Sequence, residues 1–141
     1  MAKALGVELQ IVDVNDPADI VPAFASFRAG GSEAIDVLAS PLLFSLRKEI
    51  IRLSLANKLP VICQFREGAE AGCLASYGIS LPQAYRLLAD LTDKVLRGAR
   101  PADTPAQQPT NFELMVNLRA ANALGLTVPQ SLLARADEVI E

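Results

Sequence analysis

The sequence predicts an α/β fold: a parallel sheet with helices on both faces, in three layers. Three observations carry that prediction. Strand-like apolar runs alternate with helix-like patterns through the first half of the chain, and strands separated by helices form parallel βαβ units with right-handed crossovers. Two of those helices carry the same start signal, a capping residue followed by proline, at Asp16-Pro17 and Ser40-Pro41. Finally, 51% of the residues are hydrophobic and only 5% aromatic, so the core is aliphatic, which suits a buried parallel sheet. At 141 residues the chain reads as a single domain, residues 1–141, long enough to bury a core without disulfides or a metal.

Taken in order, Val7 to Val14 reads as the opening strand, its apolar residues Val7, Leu9, Ile11, Val12 and Val14 mixing period 2 with continuous burial. Asp16-Pro17 starts a helix whose buried stripe is Ile20, Phe24 and Phe27, and Gly30-Gly31 ends it. Ala34 to Ala39 is a second strand. Ser40-Pro41 then opens a helix to about Lys58, with Leu43, Leu46, Ile50 and Leu53 facing the sheet and Arg47, Lys48, Glu49 and Arg52 turned outward. Val61 to Phe65 is the third strand.

Arg66 to Gly78 reads as a glycine-rich βα loop at the C-terminal end of that strand, the place where open α/β sheets put ligands. The competing reading is a surface loop with a partly buried tyrosine. Ser80 caps a helix from Leu81 to Arg97, with Gln83 placed as in a capping box and Gly98 in the C′ position; its apolar face is Leu81, Tyr85, Leu88, Leu91, Thr92 and Val95. Residues 99–111 hold three prolines and read as an extended, exposed connection. Phe112 to Val116 is a last strand, Asn117 caps a helix ending at Leu124-Gly125, and Pro129 starts a terminal helix carrying Leu132, Leu133 and Val139.

Composition removes several kinds of function. Lys plus Arg number 13 against 16 Asp plus Glu, net −3, with no block of like charge, which disfavours nucleic acid and anionic membrane surfaces as partners. There is no histidine, so a histidine metal site and a Ser/His or Cys/His catalytic centre are impossible. No cofactor is expected, and no catalysis. Cys63 and Cys73 form no CxxC pair; Cys63 reads as a small buried thiol and Cys73 as an exposed, oxidisable one. The N-terminal residues lack a signal-peptide pattern and no run of about 18 uncharged apolar residues occurs, so the sequence as written is expected in the cytoplasm.

Several motifs resemble one family. Gly72-Cys73-Leu74-Ala75-Ser76-Tyr77-Gly78, Asp93-Lys94-Val95-Leu96-Arg97-Gly98-Ala99-Arg100-Pro101-Ala102-Asp103, Gln108-Pro109-Thr110-Asn111-Phe112-Glu113-Leu114, and Ala123-Leu124-Gly125-Leu126-Thr127-Val128-Pro129 running on to Asp137 are similar to the second half of bacterial ABC-transporter substrate-binding proteins of the tryptophan- and tyrosine-binding type. The resemblance covers nearly all of this chain but about half of a family member. It implies a Rossmann-like lobe of a type I periplasmic binding protein. It also implies that the segment from about Leu74 to Arg97 crosses to an N-terminal lobe, that Phe112 brings the chain back, and that solute is clamped between the lobes. In the family an export signal and that first lobe come before the region equivalent to Ala4, which places a full-length protein in the periplasm, beside an ABC permease. Two glycines usually stand where this chain has Gly72-Cys73.

The expected function is therefore binding without chemistry, of an amino acid or similar small molecule. Ser40, with the start of its helix, is expected to hold a carboxylate, and Gln64, Arg66, Glu67, Ser76 and Tyr77 to supply the other polar and stacking contacts. Each also has a plainer explanation: capping for Ser40, solvation for Arg66 and Glu67. The alternative is a truncated or vestigial lobe without transport activity, self-associating as a homodimer through the apolar face of Leu81 to Val95. A phospho-receiver or enzyme using Asp13 or Asp36 is disfavoured, because no glycine-rich phosphate loop accompanies them.

Overall fold

A computed structural model describes residues 2–105, 107 and 109–141. Ala106 and Gln108, both in the connection expected to be extended and the second also in a family-like motif, lie outside the described residues, as does Met1. Five strands form one sheet in chain order: β1 (Ile35–Val37), β2 (Val61–Cys63), β3 (Ala75–Ile79), β4 (Phe112–Asn117) and β5 (Glu138–Ile140). Among the described residues seven α-helices accompany them: α1 (Ile20–Ala29), α2 (Pro41–Ser45), α3 (Arg47–Asn57), α4 (Arg66–Ala71), α5 (Leu81–Leu96), α6 (Leu118–Leu124) and α7 (Gln130–Leu133).

The α/β class stands, but the sheet is mixed rather than wholly parallel. β1, β2 and β3 run parallel, with Ile35 opposite Val61 and Ile62 opposite Ala75. β4 is antiparallel to β3, pairing Ile79 with Phe112 and Tyr77 with Leu114, and β5 is parallel to β4. The reversal follows from the route. The chain leaves the end of β3, forms α5, and returns to the same end of the sheet, so the next strand must run the other way.

The core lies where α1 and α3 meet the first strands. Ile20 and Phe24 of α1, Ile50, Ile51 and Leu53 of α3, and Ile35, Val61 and Cys63 of the sheet are buried together. Local signals explain these elements. Asp16 accepts a bond from the Ala18 N–H at 2.8 Å while Asp19 accepts from the Asp16 N–H at 2.9 Å, a reciprocal capping box; its opening turn, Pro17–Asp19, is a 3₁₀ turn that leads into α1. Asn117 caps α6 as expected, its Oδ1 accepting from the Ala120 N–H at 2.9 Å, and Gly125 ends that helix in the left-handed conformation, φ 71°.

Several expectations are corrected. Val7 to Val14 forms no strand: Leu9 and Ile11 are exposed and the Gln10 amide bonds the Ser26 hydroxyl at 2.9 Å. Its pattern suits a strand face, but the segment pairs with neither open edge of the sheet, β1 or β5. The helix after Ser40 is divided at Leu46, where the Ser45 hydroxyl and the Arg47 guanidinium donate to the Leu42 and Phe44 carbonyls. Arg66 to Gly78 is not a loop; Arg66, Glu67, Ala69, Glu70 and Ala71, with Gly68 the one poor helix former among them, make α4, Gly72 (φ 125°) ends it, and β3 follows. The Ser80 capping box is not formed, and Gln83 Oε1 instead accepts from Asn111 Nδ2 at 3.1 Å. The helix after Pro129 is the single turn α7, and Val139 belongs to β5.

The cysteines depart furthest. They are joined as a Cys63–Cys73 disulfide, with Cα atoms 6.2 Å apart. Cys73 is 1% exposed, not a surface thiol. The turn at Gly72 directs it inward, onto the end of β2.

Candidate functional site: the crevice at the strand ends

β1 and β2 end on the same side of the sheet, and each runs directly into a helix: β1 through Leu38, Ala39 and Ser40 into α2, β2 through Gln64 and Phe65 into α4. Between these two exits lies a crevice lined by Ser40, Phe44, Arg47, Cys63, Gln64 and Phe65 among others. One wall is layered: the Phe44 and Phe65 rings meet edge to face at 5.9 Å, and the Arg47 guanidinium lies 4.7 Å from the Phe44 ring centroid. Its cavity volume is about 30 Å³, enough for one or two small groups and far less than an amino acid fills.

Two of the expected site residues meet here. Ser40 is the first residue before α2, yet its side chain makes no capping bond, so its hydroxyl is not consumed by the helix start. Gln64 stands on the other lip. β3 passes flush against it: a Cβ on Gly78 would overlap the Gln64 carbonyl oxygen. Tyr77, one residue earlier on β3, is 60% exposed and stacks on Phe112 with centroids 5.7 Å apart and planes 25° apart. It forms an aromatic shelf beside the crevice rather than a part of its lining.

The other three are placed differently. Ser76 is 1% exposed within the sheet, opposite Met115, so its hydroxyl does not reach the surface. Arg66 turns toward β5, bonding Glu70 at 2.8 Å and Glu138 at 2.6 Å; these hydrogen bonds, Glu70's first and Glu138's second, raise the pKa of a guanidinium already fully charged. Glu67 is half-buried on the first turn of α4, and its Oε2 is enclosed without a hydrogen-bond partner.

Phe44, Arg47 and Phe65 were absent from the expected set. Both phenylalanines fall within a few positions of a strand exit, which is the signal that marks them; Arg47 reads as an outward charge because its helix is expected to be unbroken. Among the described residues no three His, Cys, Asp or Glu side chains converge as metal ligands. The crevice offers a hydroxyl, an amide, a guanidinium and apolar walls, a set suited to holding a small molecule.

Comparison with known proteins gives the family. Residues 1–140 match the profile of the ABC transporter substrate binding protein family. The chain belongs to this family. No curated protein sequence matches significantly, but solved structures of other substrate-binding proteins and their relatives do. A conserved domain protein from Vibrio cholerae is 28% identical with a TM-score of 0.90, covering 98% of this chain and 46% of that one. The ABC domain from Streptococcus pneumonia in complex with L-Trp is 26% identical with a TM-score of 0.90, covering 99% and 47%. CD0873, a substrate binding protein with adhesive properties from Clostridium difficile in its ligand-free, open structure, is similar in fold, at 22% identity and a TM-score of 0.65, covering 99% and 46%. The chain thus spans just under half the length of these three solved structures. No helix among its described residues is long and apolar enough to cross a membrane.

Proposed function

We propose that this chain is one lobe of a solute-binding protein and that the crevice between the β1 and β2 exits is its half of the solute site. The observation that carries the proposal is the unspent Ser40 hydroxyl facing the same crevice as Gln64. In this reading Ser40 takes the carboxylate of an amino acid or a similar small molecule, Gln64 a second polar group, and the Tyr77–Phe112 shelf an apolar side chain. Glu67, whose unpaired oxygen is enclosed and lies outside the crevice lining, takes no solute contact in this reading. Arg66 acts at a distance by fixing α4 to β5, and Ser76 by filling the sheet. The L-Trp bound by the Streptococcus pneumonia domain makes L-tryptophan the first probe.

A cavity of about 30 Å³ covers only a fragment of such a solute, so the remaining contacts come from a second lobe, and the lobe alone binds at roughly millimolar strength or weaker. Joined to that lobe and exported to the periplasm, the protein hands its solute to an ABC permease. The test is ¹⁵N-resolved NMR with added L-tryptophan. Shifts clustered at Ser40, Gln64 and Tyr77, and lost in Ser40→Ala, are expected. Shifts confined to the Ser80–Asn111 region would sink the assignment.

A second reading has its own observation. α5 carries an apolar face, yet none of its residues is buried, with Tyr85 67% and Leu88 57% exposed. Such a face favours a partner, either the segment from about Leu74 to Arg97 crossing onto another lobe or, when the chain stands alone, a second copy. Light scattering at micromolar concentration is expected to give a homodimer, and a strictly monomeric species rules it out.

A further inference from the structure

We propose that the Cys63–Cys73 disulfide is a redox latch on α4 whose reducible face is the crevice itself. Cys63 is the last residue of β2 and Cys73 stands two residues before β3, so the bond closes a loop that contains the whole of α4. From the far side, Asn117 Nδ2 donates to the Ala69 carbonyl at 2.8 Å. The helix is thus held between a covalent tie and a buried hydrogen bond.

The space around the sulfurs is asymmetric. Gly68, in the middle of α4, presses so closely on Cys63 that a Cβ at Gly68 would overlap the Cys63 Cβ. Cys73 is 1% exposed, whereas Cys63, at 9%, lines the crevice with Gln64 and Gly68. Two thiols need van der Waals separation where the disulfide needs only a bond length. With α4 already in contact, that extra volume comes from the crevice or from lifting α4 off β2. Reduction therefore loosens the helix that begins two residues after Gln64.

The same asymmetry fixes the route of exchange. A small thiolate entering by the crevice attacks the Cys63 sulfur, the S–S bond breaks, and Cys73 leaves as a thiolate that takes up a proton. The resulting mixed disulfide is resolved by a second reductant thiolate, which forms the reductant's own disulfide and releases Cys63, whose thiolate is protonated. Oxidation is the reverse: the two protein thiols give up two electrons and two protons to a small or protein disulfide, which is reduced to a dithiol. Such a bond persists in an oxidising compartment, in keeping with export. A solute seated in the crevice covers the attacked sulfur and slows reduction; this last point alone rests on the proposed solute site.

The test uses the full chain purified without reductant. Under denaturing conditions a maleimide should label no thiol before reduction and both cysteines after it. Hydrogen exchange of the Ala69 and Ala71 amides should be roughly tenfold or more faster in the reduced protein, with Met115 on β4 much less affected. The Cys63→Ala/Cys73→Ala variant should exchange as the reduced chain does whether or not reductant is present. Free thiols in the unreduced protein, or equal α4 exchange in the two redox states of the wild-type chain, overturn the latch, and neither comparison depends on the variant folding. If L-tryptophan fails to slow reduction while α4 exchange still differs, the latch holds and the solute assignment fails.

Discussion

Asn117→Ala removes two hydrogen bonds made by one buried side chain. The residue is 4% exposed; its Oδ1 accepts from the Ala120 N–H at 2.9 Å and its Nδ2 donates to the Ala69 carbonyl at 2.8 Å. Loss of an N-cap costs about 1 kcal/mol. Loss of the donor removes one of two bonds to the Ala69 carbonyl, which still accepts from the Gly72 N–H at 3.1 Å, at roughly 0.5–1.5 kcal/mol. The expected destabilisation is therefore roughly 1.5–2.5 kcal/mol, a lowering of the melting temperature of roughly 5–10 °C for a chain of this size. Asn117→Asp separates the two effects. Its carboxylate still caps α6 but faces the Ala69 carbonyl with an acceptor instead of a donor, so at neutral pH it loses the second contribution and keeps the first. Protonation restores a donor, so the deficit of that variant grows as pH rises through the carboxylate range and shrinks as pH falls. The assay is urea unfolding followed by far-ultraviolet circular dichroism, with the disulfide intact. A loss below about 1 kcal/mol for Asn117→Ala at unchanged slope would refute the claim that this side chain joins α4 to α6 through β4.

Other expectations are simpler to state. Gly78→Ala forces a Cβ into the Gln64 carbonyl oxygen and should cost at least about 1–3 kcal/mol while shifting the Gln64 amide resonance; a wild-type urea midpoint would contradict the close approach. Arg66→Ala breaks two ion pairs whose side chains are all 42% or more exposed, so screening limits the loss to about 1 kcal/mol or less, and a larger loss in the same unfolding assay would mean that α4 depends on Glu138 more than the geometry indicates. Glu49 titrates below the ordinary glutamate range because the Arg52 guanidinium hydrogen-bonds its carboxylate at 2.6 and 2.8 Å. Its stabilising contribution is present above the ordinary glutamate pKa and is lost as pH falls through the lowered one. An NMR titration of the Glu49 carboxyl should show the low value return toward normal in Arg52→Ala, and an identical titration in both proteins would exclude the pairing.

What could be read from the sequence was set by how local the determinant is. The Asp16-Pro17 start, the Asn117 cap and the Gly125 stop each lie within a few residues of the backbone they organise, and each appears in the structure as expected. The β1 and β2 runs were legible because each short aliphatic-rich run is bounded by Gly or Pro signals, Gly30-Gly31 and Pro41 around β1 and Pro60 before β2, whereas the similar run at Val7 to Val14 stays out of the sheet. Strand direction was not, since the reversal at β4 depends on where a connection of many residues lands. α4 and β3 are six and five residues long, too short for periodicity to separate from a glycine-rich loop. The disulfide and the Arg66–Glu138 pair depend on convergence across the fold, the latter over 72 positions. For the crevice, Ser40 and Gln64 stand out by their place after strands, whereas Arg47 reads as an outward charge and its stacking on Phe44, three residues away, escapes notice.

Ile79 and Phe112 stand opposite one another as the last rung between β3 and β4, and no described residue from Ser80 to Asn111 is buried. Everything between those two positions is an outgrowth from adjacent strand ends, and it could be exchanged for a two-residue turn that converts the pair into an ordinary β-hairpin. The core would lose nothing it packs against. The same geometry means that residues 80–111 can be inherited, replaced or swapped between related chains as a cassette, with the crevice, α4 and the disulfide all on the retained side of the cut.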